Sequence, residues 1–595
     1  MSFSKKFVLS VLVTILTFSL FACGTSSQPP AASPQPSQPA QSTQAPQSTQ
    51  EPTALPTPAN KDITIVIPED PPSFNAVIEI TGYDVMVMKL VMLGMTGIDP
   101  DGNIYPELAA ELPTLENGDV VQDITNNTMS VTWKMRKDVQ WADGTPVTAD
   151  DVIFTYKAIT DPNTGNWIPG IDSVTNVEKI DDYTFKVDYS SIYPSYLTQF
   201  GGESVAIWPA HYCNASQGFS AWDCGRKPLS DGPFILQEWV QGDHMTFVKN
   251  PNYYEKGKPD INKITVKIIP DATVRKQMMV NGDADINMWI NETVASDLQN
   301  QDNVNVSISK DNRFVMRLFM NEAKKGTTDP VKYPHPILSD VRVRQAIRMA
   351  IDVDTISQQI FNGYSQPVWT EFFRPPYDKC EVPSPTYDPE AAKTLLDQAG
   401  WTDPTNSGTR SCHGCSTGAP EGYPMEMQFL TYKEYGDPIL LTQQLIAEEL
   451  GKIGIKLDLS TVEGSVLWAD SKSGGIEQSG NFDIDLWDDG YPGVDPTYFL
   501  SQYYSKDSMA PDNGWNIDRW NNDQFNQLLT QAYTLDESKR QNIFCQMATL
   551  LNDQVPIDLM FTTINADAYS KRLEGVQSTV NDVVTWNVAD WKVVK

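Results

Sequence analysis

Apolar and polar positions change their spacing several times along the chain, and each change marks an element. Phe482, Ile484 and Leu486 alternate with Asp483, Asp485 and Trp487, the period of two expected of a half-buried strand that points Trp487 away from its apolar face. Asp488, Asp489 and Gly490 break the alternation, and Tyr491-Pro492-Gly493 reads as a turn. Upstream, residues 62–67 read as a strand, the apolar run 86–95 as a buried helix, and Asp99-Pro100-Asp101-Gly102 as a turn. Val131, Trp133 and Met135 alternate as a strand. After Asp143-Gly144, Thr148 caps a helix that buries Val152, Ile153, Tyr156 and Ile159 and sets Asp150 and Asp151 against the positive end of its dipole. Val343, Ala346, Ile347, Ala350 and Ile351 share one helical face, with Arg344 and Arg348 outside it. Asp388-Pro389 opens a further helix, Ala392, Leu395, Leu396 and Ala399 form its buried stripe, and Gly400 closes it. Leu441, Leu445 and Leu450 predict a helix ending at Gly451, then a strand through Ile453, Ile455, Leu457 and Leu459. Asp536 starts the last long helix, which bears Ile543, Phe544, Met547, Leu550 and Leu551 and leads into a strand near 557–561. Helix followed by strand, repeated, predicts α/β layers with partly parallel sheets.

The N-terminus follows another pattern. Lys5 and Lys6 precede an uncharged run over 7–21, which suits an export signal; a membrane span needs about 20 apolar residues. The run ends in Leu20-Phe21-Ala22-Cys23 and resembles a bacterial lipoprotein signal, Phe21 departing from the usual small residue. The resemblance implies a signal over 1–23 and lipidation of Cys23, and so a membrane-anchored, extracytoplasmic protein. Residues 24–60 are almost entirely Ser, Gln, Pro, Ala and Thr, a composition that stays disordered and predicts a tether.

The rest of the 595-residue chain is too long for one hydrophobic core. A net charge of −32 disfavours nucleic acid as a partner, because phosphate contacts need an excess of Lys and Arg. Outside the cytosol the remaining cysteines are expected to pair. Cys213 and Cys224 are close enough to staple one loop, while Cys380, Cys412, Cys415 and Cys545 leave their connectivity open, with a Cys412–Cys415 loop preferred to a metal or redox site. The 4 histidines, His211, His244, His335 and His413, are scattered, so neither a metal nor another cofactor is expected. The acidic stretch after Trp487 does not fit a calcium loop. A secreted hydrolase is the competing class, but no nucleophile elbow, H-E-x-x-H or phosphate-binding loop is read, and an enzyme is not expected. Trp487, Asp488, Asp489 and Tyr491 gather an indole, two carboxylates and a phenol, a cluster suited to a cationic or hydroxyl-rich small molecule.

The string WADGTPVTADDVIFTYKAI, then Gly232-Pro233-Phe234 with Trp239, Asn250, Pro251 and Tyr253, resembles extracellular solute-binding protein family 5, the oligopeptide, dipeptide and nickel binders of ABC importers. Asp340-Val341-Arg342-Val343-Arg344-Gln345-Ala346-Ile347 with Ala350-Ile351-Asp352, and the Trp487 stretch, follow in the family's order. The resemblance implies a two-lobe periplasmic-binding-protein fold of class II, cluster C, with an inserted domain and hinge strands. Lobe I would comprise 61–105, 229–318 and 562–595, the insert 106–228, and lobe II 319–561. Crossings near 314–321 and 561 would bring Met316 and Arg317 to the cleft, and Trp369 is a further pocket candidate. Peptide binders of the family carry W-x-x-D-Y-x-D-P, whose aspartate takes the α-ammonium. Gly490 stands in that place here, so Asp489, or less favourably Asp488, would replace it. The expected protein is a monomer that delivers short peptides first, oligosaccharides second, to an ABC permease.

Overall fold

The structure, a computed structural model, describes residues 60–75, 82–161, 168–213, 223–309, 312–433, 435–491 and 493–594. The expected signal, Cys23 and all but the last residue of the expected tether lie outside them.

Three large β-sheets carry the architecture. The first has seven strands in the order Val304–Ile308, Ala566–Ser570, Ile286–Asn287, Asp62–Ile67, Lys263–Ile268, His244–Lys249 and Phe234–Val240, with Asp62–Ile67 parallel to both neighbours. The second has five: Lys456–Val462, Glu426–Tyr432, Ile484–Asp489, Val315–Met320 and Ile557–Thr562. It is parallel on one side of Ile484–Asp489 and antiparallel on the other. The third is a four-stranded antiparallel sheet of Val120–Asp123, Thr128–Lys134, Thr184–Tyr189 and Val174–Asp181. It shares one apolar core with the first, where Ile65 and Phe247 belong to the same cluster as Trp133 and Phe185. The second sheet has a core on each face, Leu318, Ile484 and Leu486 on one and Val315, Phe319 and Trp487 on the other.

That double cover corrects the half-buried strand. Asp485 is 0% exposed and Trp487 only 5%, because an interior strand of a mixed sheet is packed from both sides, which its alternation does not reveal. The arginines of the Val341–Met349 helix need the same correction. Arg344 donates to the carbonyls of Leu338 (2.7 Å), Gln554 (2.9 Å) and Val555 (3.0 Å), and Arg348 pairs with Asp558 and donates to Asn552 O (3.1 Å). Both are buried because they satisfy the open carbonyl end of helix Glu537–Gln554, where cations are favoured. The early apolar helix spans only Tyr83–Val91. Beyond it the Leu93 and Gly94 amides turn to the carboxylates of Asp231 (3.0 Å) and Glu107 (3.1 Å). Leu441 is exposed; the buried stripe of Asp437–Lys452 runs through Ile439, Ile446 and Leu450, and the strand after it begins at Lys456 on the sheet edge.

Other expectations match. Asp388 accepts from Ala391 N (2.8 Å) before helix Pro389–Gln398, and Gly400 closes it at φ +85°. Asp536 caps Glu537–Gln554 through Lys539 N (3.0 Å). The disulfides are Cys213–Cys224, Cys380–Cys545 and Cys412–Cys415.

The chain passes from the first sheet to the second between Ile308 and Val315 and returns between Thr562 and Ala566. The passages are bonded to each other: Asn312 Nδ2 donates to Thr563 O and Oγ1 (both 2.9 Å), Thr563 N to Phe314 O (3.0 Å), and Ser309 N to Asn565 O (2.9 Å).

Candidate ligand-binding site

A cavity of about 460 Å³ lies against the end of strand Ile484–Asp489. Trp487, Asp488, Asp489, Gly490 and Tyr491 form one part of its wall. Helix Thr497–Tyr504 adds Tyr498, Phe499, Gln502 and Tyr503, whose spacing keeps them on one face, and Trp468 and Trp515 complete that side. The opposite wall is Ile98, Ile168, Pro169 and a run from Tyr193 to Val205 beside the third sheet. Asp495 joins the two walls. Its Oδ2 accepts from Ser195 Oγ (2.7 Å) and from Arg540 Nη2 (2.7 Å), and although burial works against its charge, Arg540 leaves its carboxyl below the usual range.

Trp487 stacks on Phe319 with ring centres 4.6 Å apart and meets Trp468 edge-on at 5.6 Å. The neighbouring carboxylates are bound differently. Asp489 Oδ1 accepts from Gly490 N (2.7 Å) and Oδ2 from the Tyr503 hydroxyl, so both oxygens are occupied. Asp488 Oδ1 accepts from the Tyr432 hydroxyl (2.9 Å), while Oδ2 has no donor from any other described residue. Burial pushes the Asp488 carboxyl up to about 6, and burial also raises Asp489. None of the described lining residues is Lys, Arg or His. The site is an aromatic, acidic chamber with one unused carboxylate oxygen.

Three of the expected residues lie elsewhere. Met316 is fully buried in the core on the far face of the second sheet. Arg317 is 0% exposed and grips Glu371 with both Nη atoms, Nη2–Oε2 being 2.9 Å, while Nε donates to Asp489 O (3.2 Å). Trp369 donates to Val382 O (2.9 Å) and packs outside the cavity. The first two fail because Val315–Met320 is an interior strand of the second sheet, the passage between sheets coming earlier. Gly490 has a physical reason too: a Cβ there would lie 1.7 Å from Arg313 O, so the family's aspartate has no room on this backbone. The opposite wall was missed because it comes from residues 98 and 168–205, far away in sequence. The Tyr498, Phe499, Gln502, Tyr503 spacing was a usable signal.

The hydrolase signatures can now be placed. The string Gly414-Cys415-Ser416-Thr417-Gly418 does fit G-x-S-x-G, contrary to the sequence reading, but it lies in the Cys412–Cys415 disulfide loop and the Ser416 hydroxyl donates to Asp340 (2.6 Å). Beside it, Ser411 Oγ lies 3.0 Å from His413 Nε2, and His413 Nδ1 lies 2.5 Å from Glu421. That relay stands on an exposed loop, and its members line neither described cavity.

Two α/β lobes with paired passages and a ligand-sized chamber define a two-lobe periplasmic-binding-protein fold. Residues 103–511 match the model of bacterial extracellular solute-binding proteins, family 5, and the chain belongs to that family. It is 24% identical to the oligopeptide-binding protein AppA of Bacillus subtilis, over 88% of this chain and 90% of that one. It is also 24% identical to heme-binding protein A of Haemophilus influenzae, over 77% and 80% respectively. The crystal structure of NikA from Brucella suis in complex with Fe(III)-EDTA superimposes with a TM-score of 0.72 at 20% identity, covering 89% of this chain and 99% of that one.

Proposed function

We propose that the protein is the extracytoplasmic substrate-binding component of an ABC importer, held to the membrane through a lipid on Cys23, and that it captures short peptides by their α-ammonium. In this reading the lobes are joined where the chain passes between the first and second sheets, before Val315 and after Thr562, and close over the chamber. Family membership and relatives that bind oligopeptides support the class of function. The observation that carries the ligand is Asp488 Oδ2, an unused carboxylate oxygen in an aromatic chamber with no basic side chain among its described lining residues. An ammonium seated there gains a charge-assisted hydrogen bond and the attraction of nearby ring faces.

Titration calorimetry with trialanine tests this. A charge-assisted bond contributes about 1.5–3 kcal/mol, so Asp488→Asn is expected to weaken binding about tenfold or more, and N-acetylation of the peptide should do the same. Because burial pushes the Asp488 carboxyl up to about 6, affinity is expected to hold above that pH and to fall toward tenfold per unit below it, as protonation removes the anion. Unchanged affinity in Asp488→Asn, together with a flat profile from pH 7.5 to 5, would refute the assignment.

A further inference from the structure

The Cys412–Cys415 disulfide ties a turn that other bonds already hold. Cys412 pairs with Trp401 in a two-stranded ribbon, its amide donates to Tyr423 O (2.9 Å), and its carbonyl accepts from Gly422 N (2.8 Å). His413 N donates to Gly400 O (2.7 Å). Past the second cysteine, Ser416 Oγ donates to Asp340 Oδ2 and Thr417 Oγ1 to Pro336 O, both at 2.6 Å. A sequence separation of 3 also leaves the bond little unfolded-chain entropy to remove. As a staple it is close to redundant, so its chemistry rather than its bracing sets it apart.

The C-x-x-C spacing puts both sulfurs on one turn, where the bond can open and re-form without displacing the chain. The two sulfurs differ in access. Cys412 is 1% exposed in the core of the second sheet, whereas Cys415 is half-buried at the rim of that core. Cys412 Sγ stands 3.5 Å from Ala419 O, so a thiol formed there has a carbonyl to donate to. The other pairs lack this arrangement. Cys213 and Cys224 are both buried, and Cys380–Cys545 closes a long loop, with Gln541 Nε2 3.3 Å from each of its sulfurs.

We propose that Cys412–Cys415 is a thiol–disulfide exchange site whose reactant is an external dithiol. A thiolate of the dithiol attacks Cys415 Sγ, a mixed disulfide forms there, and the Cys412 sulfur leaves with the bonding pair and takes up a proton. The second sulfur of the dithiol then displaces Cys415. The reagent ends as a disulfide, two electrons pass to the protein, and both thiol protons end on the cysteines. Neither the chamber nor a cavity of about 320 Å³ between the two passages includes a residue of this turn, so the exchange stands apart from ligand capture.

Limiting dithiothreitol, quenched at intervals with N-ethylmaleimide and read by peptide mass spectrometry, tests this. Cys412 and Cys415 are expected to be labelled about tenfold or more faster than the other paired cysteines, because access to a sulfur sets the rate. The selectively reduced protein should keep its urea midpoint, and oxidised dithiothreitol should restore the bond. Cys412→Ser and Cys415→Ser, which each leave one free thiol, test the direction of attack. Dithionitrobenzoate should label Cys415 in the first about tenfold or more faster than Cys412 in the second. Opening of either other disulfide at the same rate or sooner, a marked fall in the midpoint on selective reduction, or labelling of Cys412 as fast as Cys415 overturns the proposal.

Discussion

Arg317→Met is expected to destabilise the protein by about 3–5 kcal/mol, the usual loss when one member of a buried, hydrogen-bonded ion pair is removed. Arg317 and Glu371 are each 1% exposed at the side chain, and Glu371 also accepts from the Tyr504 hydroxyl. Without the guanidinium, a carboxylate is stranded in the core beneath the chamber, and the Asp489 carbonyl and the Phe499 ring, 5.0 Å from the guanidinium carbon, lose their cation. Urea unfolding should show a lower midpoint at unchanged slope. Arg317→Met/Glu371→Leu should recover most of the loss, because no buried charge is then left unpaired; the remainder is the cost of the Tyr504 hydroxyl and the Asp489 carbonyl losing their partners. A single variant as stable as wild type would mean that the pair is open to water.

The second large effect comes from Cys380–Cys545. It closes a loop with a sequence separation of 165, against 11 for Cys213–Cys224 and 3 for Cys412–Cys415. In the chain-entropy account a loop of that length restrains the unfolded state by about 5 kcal/mol, and the short loops by progressively less. Cys380→Ser/Cys545→Ser is therefore expected to lower the denaturation midpoint far more than Cys412→Ser/Cys415→Ser. Equal losses in the two variants would show that the entropic account does not govern this chain.

The sequence made the order of elements legible wherever local chemistry sets it. Asp388-Pro389 and Asp536 mark helix starts because a carboxylate caps free backbone N–H groups there, a signal that owes nothing to distant residues. The Trp487–Tyr491 part of the site was legible for a similar reason, a break in period beside clustered aromatic and acidic groups. Three things were not. Arg344 and Arg348 looked external because periodicity assigns charge to the outside, and Arg317 was placed at the cleft because the resemblance put a lobe crossing there, yet each answers a buried acceptor contributed by another part of the chain. Which of Asp488 and Asp489 keeps a free oxygen depends on Tyr432 and Tyr503, brought in by a neighbouring strand and a following helix. The facing wall arrives from beside another sheet altogether.

The runs 312–314 and 563–565 are tied to each other by the Thr563–Phe314 backbone bond and by the Asn312 side chain. A lobe carried on such paired crossings is expected to turn about the line between them. Arg313 sits on that line and ties it to Glu203, on the wall of the chamber that faces the second sheet.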